Sequence, residues 1–200
     1  FLVYTPGNKM AIAQRNVVLI DPQVSLTTDE LTYDLENEIA FYDSGGTIVS
    51  ESNTLTSKKG WYNTQRKLFV FETDVVLEHQ KFNMFTDTLH YITTTEVANI
   101  FGPTLIESDE NVIYTERGIY DTKKDLAWFW QNAWLENNET HLAADSLVYD
   151  RNISFARAFR NVIITDSVND YLLGGQIGEY DEITGYSFLT DSAWALFIDA

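Results

Sequence analysis

Apolar and polar positions alternate with period two along almost the whole chain, and Thr, Val, Ile, Tyr, Phe and Trp dominate the alternating runs. In Leu31-Thr32-Tyr33 and Leu147-Val148-Tyr149 the Leu and Tyr fall on one face of a strand and the residue between them on the other. In Val162-Ile163-Ile164-Thr165 positions 162 and 164 share a face, as do Val17 and Leu19. No stretch carries a convincing helical period, and Pro occurs only three times. The pattern predicts an all-β chain, antiparallel, with one apolar and one wet face.

Turn chemistry divides the strands at regular intervals. Tyrosines stand at 33, 62, 91, 120, 149 and 180, at spacings of 29 residues and finally 31. Asp or Asn follows five of the six, and these residues open turns by accepting hydrogen bonds from the backbone just ahead of them. About ten residues past each turn comes a second landmark, seen in Asn16-Val17-Val18-Leu19, Asp74-Val75-Val76-Leu77, Asn132-Ala133-Trp134-Leu135 and Asn161-Val162-Ile163-Ile164. Degenerate copies begin at Gly45, Gly102 and Asp191. Alternate units match more closely, so that Asp29, Asp87 and Asp145 open equivalent segments 58 residues apart. A fixed period of this size marks a stack of one supersecondary unit. Residues 1–200 are therefore read as a single repeat array, part of a longer protein.

Long antiparallel strands with one apolar face must cover it, in a sandwich, a closed barrel or a sheet folded over on itself. An even repeat of hairpins favours the folded or V-shaped sheet. A parallel β-helix is the main competitor, with shorter strands and no regular hairpin turn.

Composition narrows the function. The formal net charge is −17 and the pI about 4.3, which argues against a nucleic-acid partner and against a polybasic membrane-surface role. With no cysteine there is neither a disulfide framework nor a Cys-based zinc site. No apolar run approaches the roughly 18 residues of a membrane-spanning helix, and no export signal is present in this stretch. His79, His90 and His141 lack metal-ligand spacing, so no metal or other cofactor is expected. The recurrence of Asp29, Asp87 and Asp145 suits a structural role, because a catalytic carboxylate pair occurs once and needs two contrasting environments.

Ala143-Ala144-Asp145-Ser146-Leu147-Val148-Tyr149-Asp150, followed by Ala156-Arg157-Ala158-Phe159-Arg160-Asn161-Val162-Ile163-Ile164, resembles the OstA/LptA repeat. Ala11-Ile12-Ala13-Gln14-Arg15-Asn16-Val17-Val18-Leu19 is a second copy of its latter half. The chain departs from that pattern where Arg15, Gln131 and Arg160 replace a glycine before the second landmark, and in the aromatic run Trp128-Phe129-Trp130. Its broad form resembles the OstA-like proteins of Bacteroidetes more than the enterobacterial one.

The resemblance implies a repetitive antiparallel β-jellyroll in the periplasm that carries lipopolysaccharide, lipid A included, between inner and outer membrane. It implies no enzymatic activity, and end-to-end association with itself or with other jellyroll transport proteins. The acyl chains would lie against Val17, Leu19, Leu31, Tyr33, Val75, Leu77, Leu89, Tyr91, Leu135, Leu147, Tyr149, Val162 and Ile164. Two other readings stand beside it: a polysaccharide-active enzyme on a parallel β-helix, and a ligand-free structural surface protein.

Overall fold

In the computed structural model, residues 1–20, 24–51 and 53–197 are described. They contain seventeen β-strands and no helix. The chain divides into two compact units, residues 1–98 and 99–200.

The first unit holds β1 (Leu2–Thr5), β2 (Met10–Ile20), β3 (Val24–Asp34), β4 (Ile39–Tyr42), β5 (Gly46–Ser50), β6 (Asn53–Ser57), β7 (Lys59–Asn63), β8 (Leu68–His79) and β9 (Phe82–Ile92). Its strands pair antiparallel in chain order, β1 with β2, β2 with β3 and β8 with β9. Between β3 and β8 each strand is broken into two pieces. β4 and β5 together span β3, while β7 and β6 together span β8. The pieces pair with one another, β4 with β7 and β5 with β6.

In the second unit, β10 (Val97–Glu107), which begins just before the boundary, is followed by β11 (Val112–Asp121), β12 (Leu126–Glu136), β13 (Thr140–Asp150), β14 (Phe155–Asp166) and β15 (Tyr171–Asp181). β11 to β15 form an unbroken antiparallel meander. β16 (Tyr186–Thr190) and β17 (Trp194–Phe197) are again two pieces that share β15 as partner. These antiparallel hairpins rule out the parallel β-helix.

Two local features, each recurring with the tyrosines, generate this architecture. The first is the hairpin turn. Asp34 Oδ1 accepts from the backbone N–H of Glu36 and Asn37, Asn63 Oδ1 from Arg66, Asp121 Oδ1 from Lys124 and Asp181 Oδ1 from Ile183 and Thr184. The turn closes through a residue with positive φ five positions after the tyrosine: Glu38, Lys67, Glu96, Asp125, Ser154 and Gly185. Lys9 has the same conformation five positions after Tyr4, so Tyr4 is a seventh rung of the ladder, 29 residues before Tyr33.

The second feature is a bend in mid-strand. Arg15-Asn16, Thr73-Asp74, Gln131-Asn132, Arg160-Asn161 and Asp191-Ser192 are consecutive pairs with positive φ, and Gly45 and Gly102 occupy the same place in the repeat. On β2, β8, β12 and β14 the pair inserts an extra residue against the neighbouring strand, a β-bulge that turns the chain sharply. The bend is what folds the sheet. Asn111, just before β11, lies nine residues from Tyr120, which is level with Tyr149 through the pairs Tyr120–Ala127 and Ala127–Tyr149. A straight strand would separate them by about 30 Å. Instead, Asn111 Nδ2 donates to Tyr149 Oη at 2.9 Å. The two halves of each strand in this unit therefore face each other across an apolar interior.

Buried hydroxyls secure the bends. Thr28 Oγ1 donates to the carbonyls of Glu30 and Gly45, Ser57 Oγ to Lys59, and Thr115 Oγ1 to Arg117 and Trp130, at distances between 2.6 and 3.2 Å. Thr86 is buried at the equivalent place. A bulge leaves carbonyls without ladder partners inside the protein, and these hydroxyls satisfy them.

Candidate functional site

The inner face is built from rows that run across the strands. In the second unit one row reads Tyr120, Ala127, Tyr149, Ala156, Tyr180 and Ser187, alternating a large ring with a small residue. In the first unit the row is Tyr4, Ala11, Tyr33, Ala40, Tyr62, Phe69 and Tyr91. The alternation makes room for each ring, and where it fails, at Phe69, the rings of Tyr62 and Phe69 stack with centroids 4.0 Å apart. The next row of the second unit is Gly118, Phe129, Leu147, Ala158, Gly178 and Leu189. Beyond the bend come Ile113, Leu135, Leu142, Ile164 and Leu173. Gly118 is required: a Cβ there would stand 2.9 Å from the Phe129 ring.

The thirteen expected lining residues occupy three environments. Leu135, Leu147, Tyr149, Val162 and Ile164 are fully buried under one another and their neighbours, as are Val75 and Leu89 in the first unit. Val17, Leu31, Tyr33, Leu77 and Tyr91 are half-buried. Leu19 is 51% exposed, and it lies in a stretch where Leu2, Tyr4, Val18 and Ile20 are also exposed. The apolar face is thus packed shut in the second unit, while in the first unit it is buried at Val75 and Leu89 and open at β1 and β2. At the other end of the chain Tyr186, Phe188, Trp194, Leu196 and Phe197 are exposed.

Polar groups line the rim of the second unit. Tyr149 Oη donates to Glu182 Oε2 at 2.7 Å, and Asn111 Nδ2 reaches both oxygens of the same carboxylate. Asn137 Nδ2 donates to Tyr180 Oη at 2.8 Å. Burial, the neighbouring Glu182 carboxylate and their hydrogen bond push the Tyr149 phenol far above its ordinary pKa, so it remains a donor. Tyr120 is raised in the same way by burial and by its bond to Asp125.

The repeated acids serve the bends. Asp29, Asp87 and Asp145 each sit opposite a bulged pair, where the register skips one residue. Asp145 accepts from Asn161 at 3.1 Å and pairs with Arg160. His141 lies between Glu136 and the Trp134 ring, and His79 packs on Phe82. Burial lowers the pKa of His90, against the opposing pull of Glu72. Among the described residues no group of three His, Cys, Asp or Glu side chains is placed to hold a metal ion. In the aromatic run, Phe129 points into the core, while Trp128 and Trp130 lie on the outer face in the rows of Val148 and Ser146.

Tyr4, the hydroxyl positions 28, 57, 86 and 115, and the rim residues Asn111, Asn137 and Glu182 escaped the sequence reading. The first two groups obey the same 29-residue spacing and were open to discovery from it. The rim partners lie 38 and 43 residues apart, outside the period, and only the folding of the sheet brings them together.

The rows define a class: a repetitive antiparallel sheet of jellyroll type, folded at regular bends around an apolar interior. The chain belongs to the OstA-like protein family, whose model matches it twice, over residues 1–87 and 84–193. No curated protein matches it. Among solved structures it is similar to LptH of Pseudomonas aeruginosa, the LptA-homologous periplasmic component of a lipopolysaccharide transport device, at 8% identity over 74% of this chain and 95% of that one, with a TM-score of 0.36. It also aligns with a chondroitinase AC lyase at 9% identity over 94% of this chain and 38% of that one, with a TM-score of 0.20. The fold assignment rests on the strand pairing and not on either superposition.

Proposed function

We propose that this chain is a non-catalytic carrier of lipopolysaccharide in the periplasm, one module of a jellyroll bridge between the two membranes. The observation that carries this reading is the inner face itself: apolar rows that repeat with every hairpin, packed in the second unit and open in the first around Val17, Leu19, Leu31 and Tyr33. Membership of the OstA-like family supports it. Each methylene moved from water onto such a face gains about 0.8 kcal/mol, without directional preference. Acyl chains can therefore shift between equivalent rows while sugars and phosphates stay in water.

The proposed path runs from Val17, Leu19, Leu31 and Tyr33 through Leu77 and Tyr91. The buried positions Val75, Leu89, Leu135, Leu147, Tyr149, Val162 and Ile164 join it when the interior admits a chain. The open edges and exposed apolar side chains of β1 and β17 are the proposed contacts to a second copy or another jellyroll protein, since unpaired strands invite further pairing.

The test is photocrosslinking in cells, with reactive groups at Leu19, Tyr33 and Leu147, together with mass spectrometry of co-purified lipid. Capture of lipid A-bearing species, strongest at Leu19 and Tyr33, is expected. Recovery of none at any position would overturn the reading and leave a ligand-free structural protein as its replacement.

A further inference from the structure

The interior of the second unit is full: Ile113, Leu142, Ala156, Ala158, Val162 and Ile164 have no solvent exposure. Nothing the size of an acyl chain can enter unless the two halves of the folded strands separate. Most of what holds them together is apolar packing, which is non-directional and can reform around a guest chain. The exceptions are at the rim. There Asn111 bonds Tyr149 and Glu182, and Asn137 bonds Tyr180, each joining the half that carries Ile113 and Leu135 to the half that carries the tyrosine row, while the bond from Tyr149 to Glu182 braces the acceptors within their own half.

These bonds are directional, and the one between Asn111 and Tyr149 is buried; Asn111 is 4% exposed and Tyr149 2%. They are also local. Tyr120, one hairpin earlier, bonds Asp125 of its own turn. In the first unit Tyr62 stacks on Phe69, and Tyr33 is half-buried.

The geometry points to a reversible latch: Asn111–Tyr149–Glu182 and Asn137–Tyr180 hold the second unit closed, and an amphiphile reaches its interior only when they part. Reversibility follows from position. Once the rim opens, water replaces each lost bond, so opening forfeits only the modest net value of a hydrogen bond and leaves no polar group stranded in the core. The open apolar surface near Val17 and Leu19 receives a lipid first, and the latch sets how fast the second unit takes it up. This inference rests on the carrier reading above, but the opening of the rim can be measured without any ligand.

The chain has no cysteine, so Asp109→Cys and Ile183→Cys, both at exposed rim positions, give a unique pair of spin labels. Distances between them would be measured in the parent, in Tyr149→Phe, which keeps the ring, and in Tyr180→Phe, which strips the acceptor of Asn137 Nδ2 and leaves the turn bonds of Asn137 Oδ1 in place. Amide exchange in β11 to β13 and the uptake rate of purified lipopolysaccharide complete the set. The latch predicts a population at longer distance in both variants, amide exchange faster by about tenfold near Ile113 and Leu135, and faster uptake. Unchanged distances and exchange in both variants would overturn it, as would a rim that opens further with no change in uptake. Should the variants open as expected while neither they nor the parent bind lipopolysaccharide, the carrier reading falls and the latch stands.

Discussion

Replacing Thr73 by glycine should make this protein more stable. Thr73 has φ 66° and is followed by Asp74 at φ 52°, the pair that bends β8. An L-residue in that region carries a steric cost of about 1–2 kcal/mol, and a β-branched one tolerates it poorly. The Thr73 side chain is exposed and forms no core contact, while the function of the bend belongs to its carbonyl, which accepts from Lys58 N–H at 3.0 Å. Glycine keeps that bond and removes the clash. It also enlarges the freedom of the unfolded chain, which returns about 0.5–1 kcal/mol of the gain. The expected net stabilisation is about 0.5–1 kcal/mol, or a rise in Tm of roughly 1–4 °C for a chain of this size. The converse change is Gly45→Ala: φ is 87° at this bend, and a Cβ there would meet no atom within 4 Å, so the penalty is backbone strain alone. Calorimetric unfolding of the three proteins, with Thr73→Ala as control, checks the argument. If Thr73→Gly lowers Tm while Gly45→Ala leaves it unchanged, the bends are not strained and the reasoning fails.

Thr115→Val preserves shape but strips the hydroxyl from the carbonyls of Arg117 and Trp130, and should cost about 1–3 kcal/mol in urea unfolding. Leu142→Ala, at a site with no exposure between Leu135 and Ile164, should cost about 2–5 kcal/mol and raise amide exchange throughout the second unit. Acid should destabilise through the turn carboxylates. The side-chain bond from Lys124 holds Asp121 below its ordinary pKa of 3.8, and the bond from Asn37 does the same for Asp34. A carboxylate depressed in the folded state contributes stability above its unfolded pKa and loses it as pH falls through the folded value. Stability should thus decline below about pH 4 with a slope that Asp121→Asn makes shallower, measured by unfolding at fixed ionic strength.

Much of the fold was legible because both of its generators are local. A turn needs a side chain that accepts from the backbone two or three residues on, and Asp34, Asn63, Asp121 and Asp181 announce it. A bend needs two residues in the left-handed region, for which Asn and Asp are the most tolerant after glycine. The Asn and Asp of the second landmark are the second members of those pairs. The Arg, Gln and Thr that stand first carry no such signal, so the bend could be inferred there only from register. Burial was less legible than direction. Leu19 and Ile164 occupy equivalent places in the repeat, yet one is open and the other sealed. Period-two alternation says which way a side chain points; how many strands cover it depends on its distance from the edge of the sheet.

That difference bears on how a repeat protein could move a lipid. If every unit were as tightly packed as the second, the apolar face would be a core and nothing more; if every unit were as open as β2, it would have no means of holding itself together. The fixed bend supplies the same inner face to each hairpin, while non-periodic residues at the rim, Asn111, Asn137 and Glu182, decide whether that face is closed. The periodic part of the sequence therefore specifies the track, and control over access lies in the residues that break the period. Exchanging Tyr149 for Phe should change access without changing the track: strand registers stay as they are, and only the rate at which the interior opens responds.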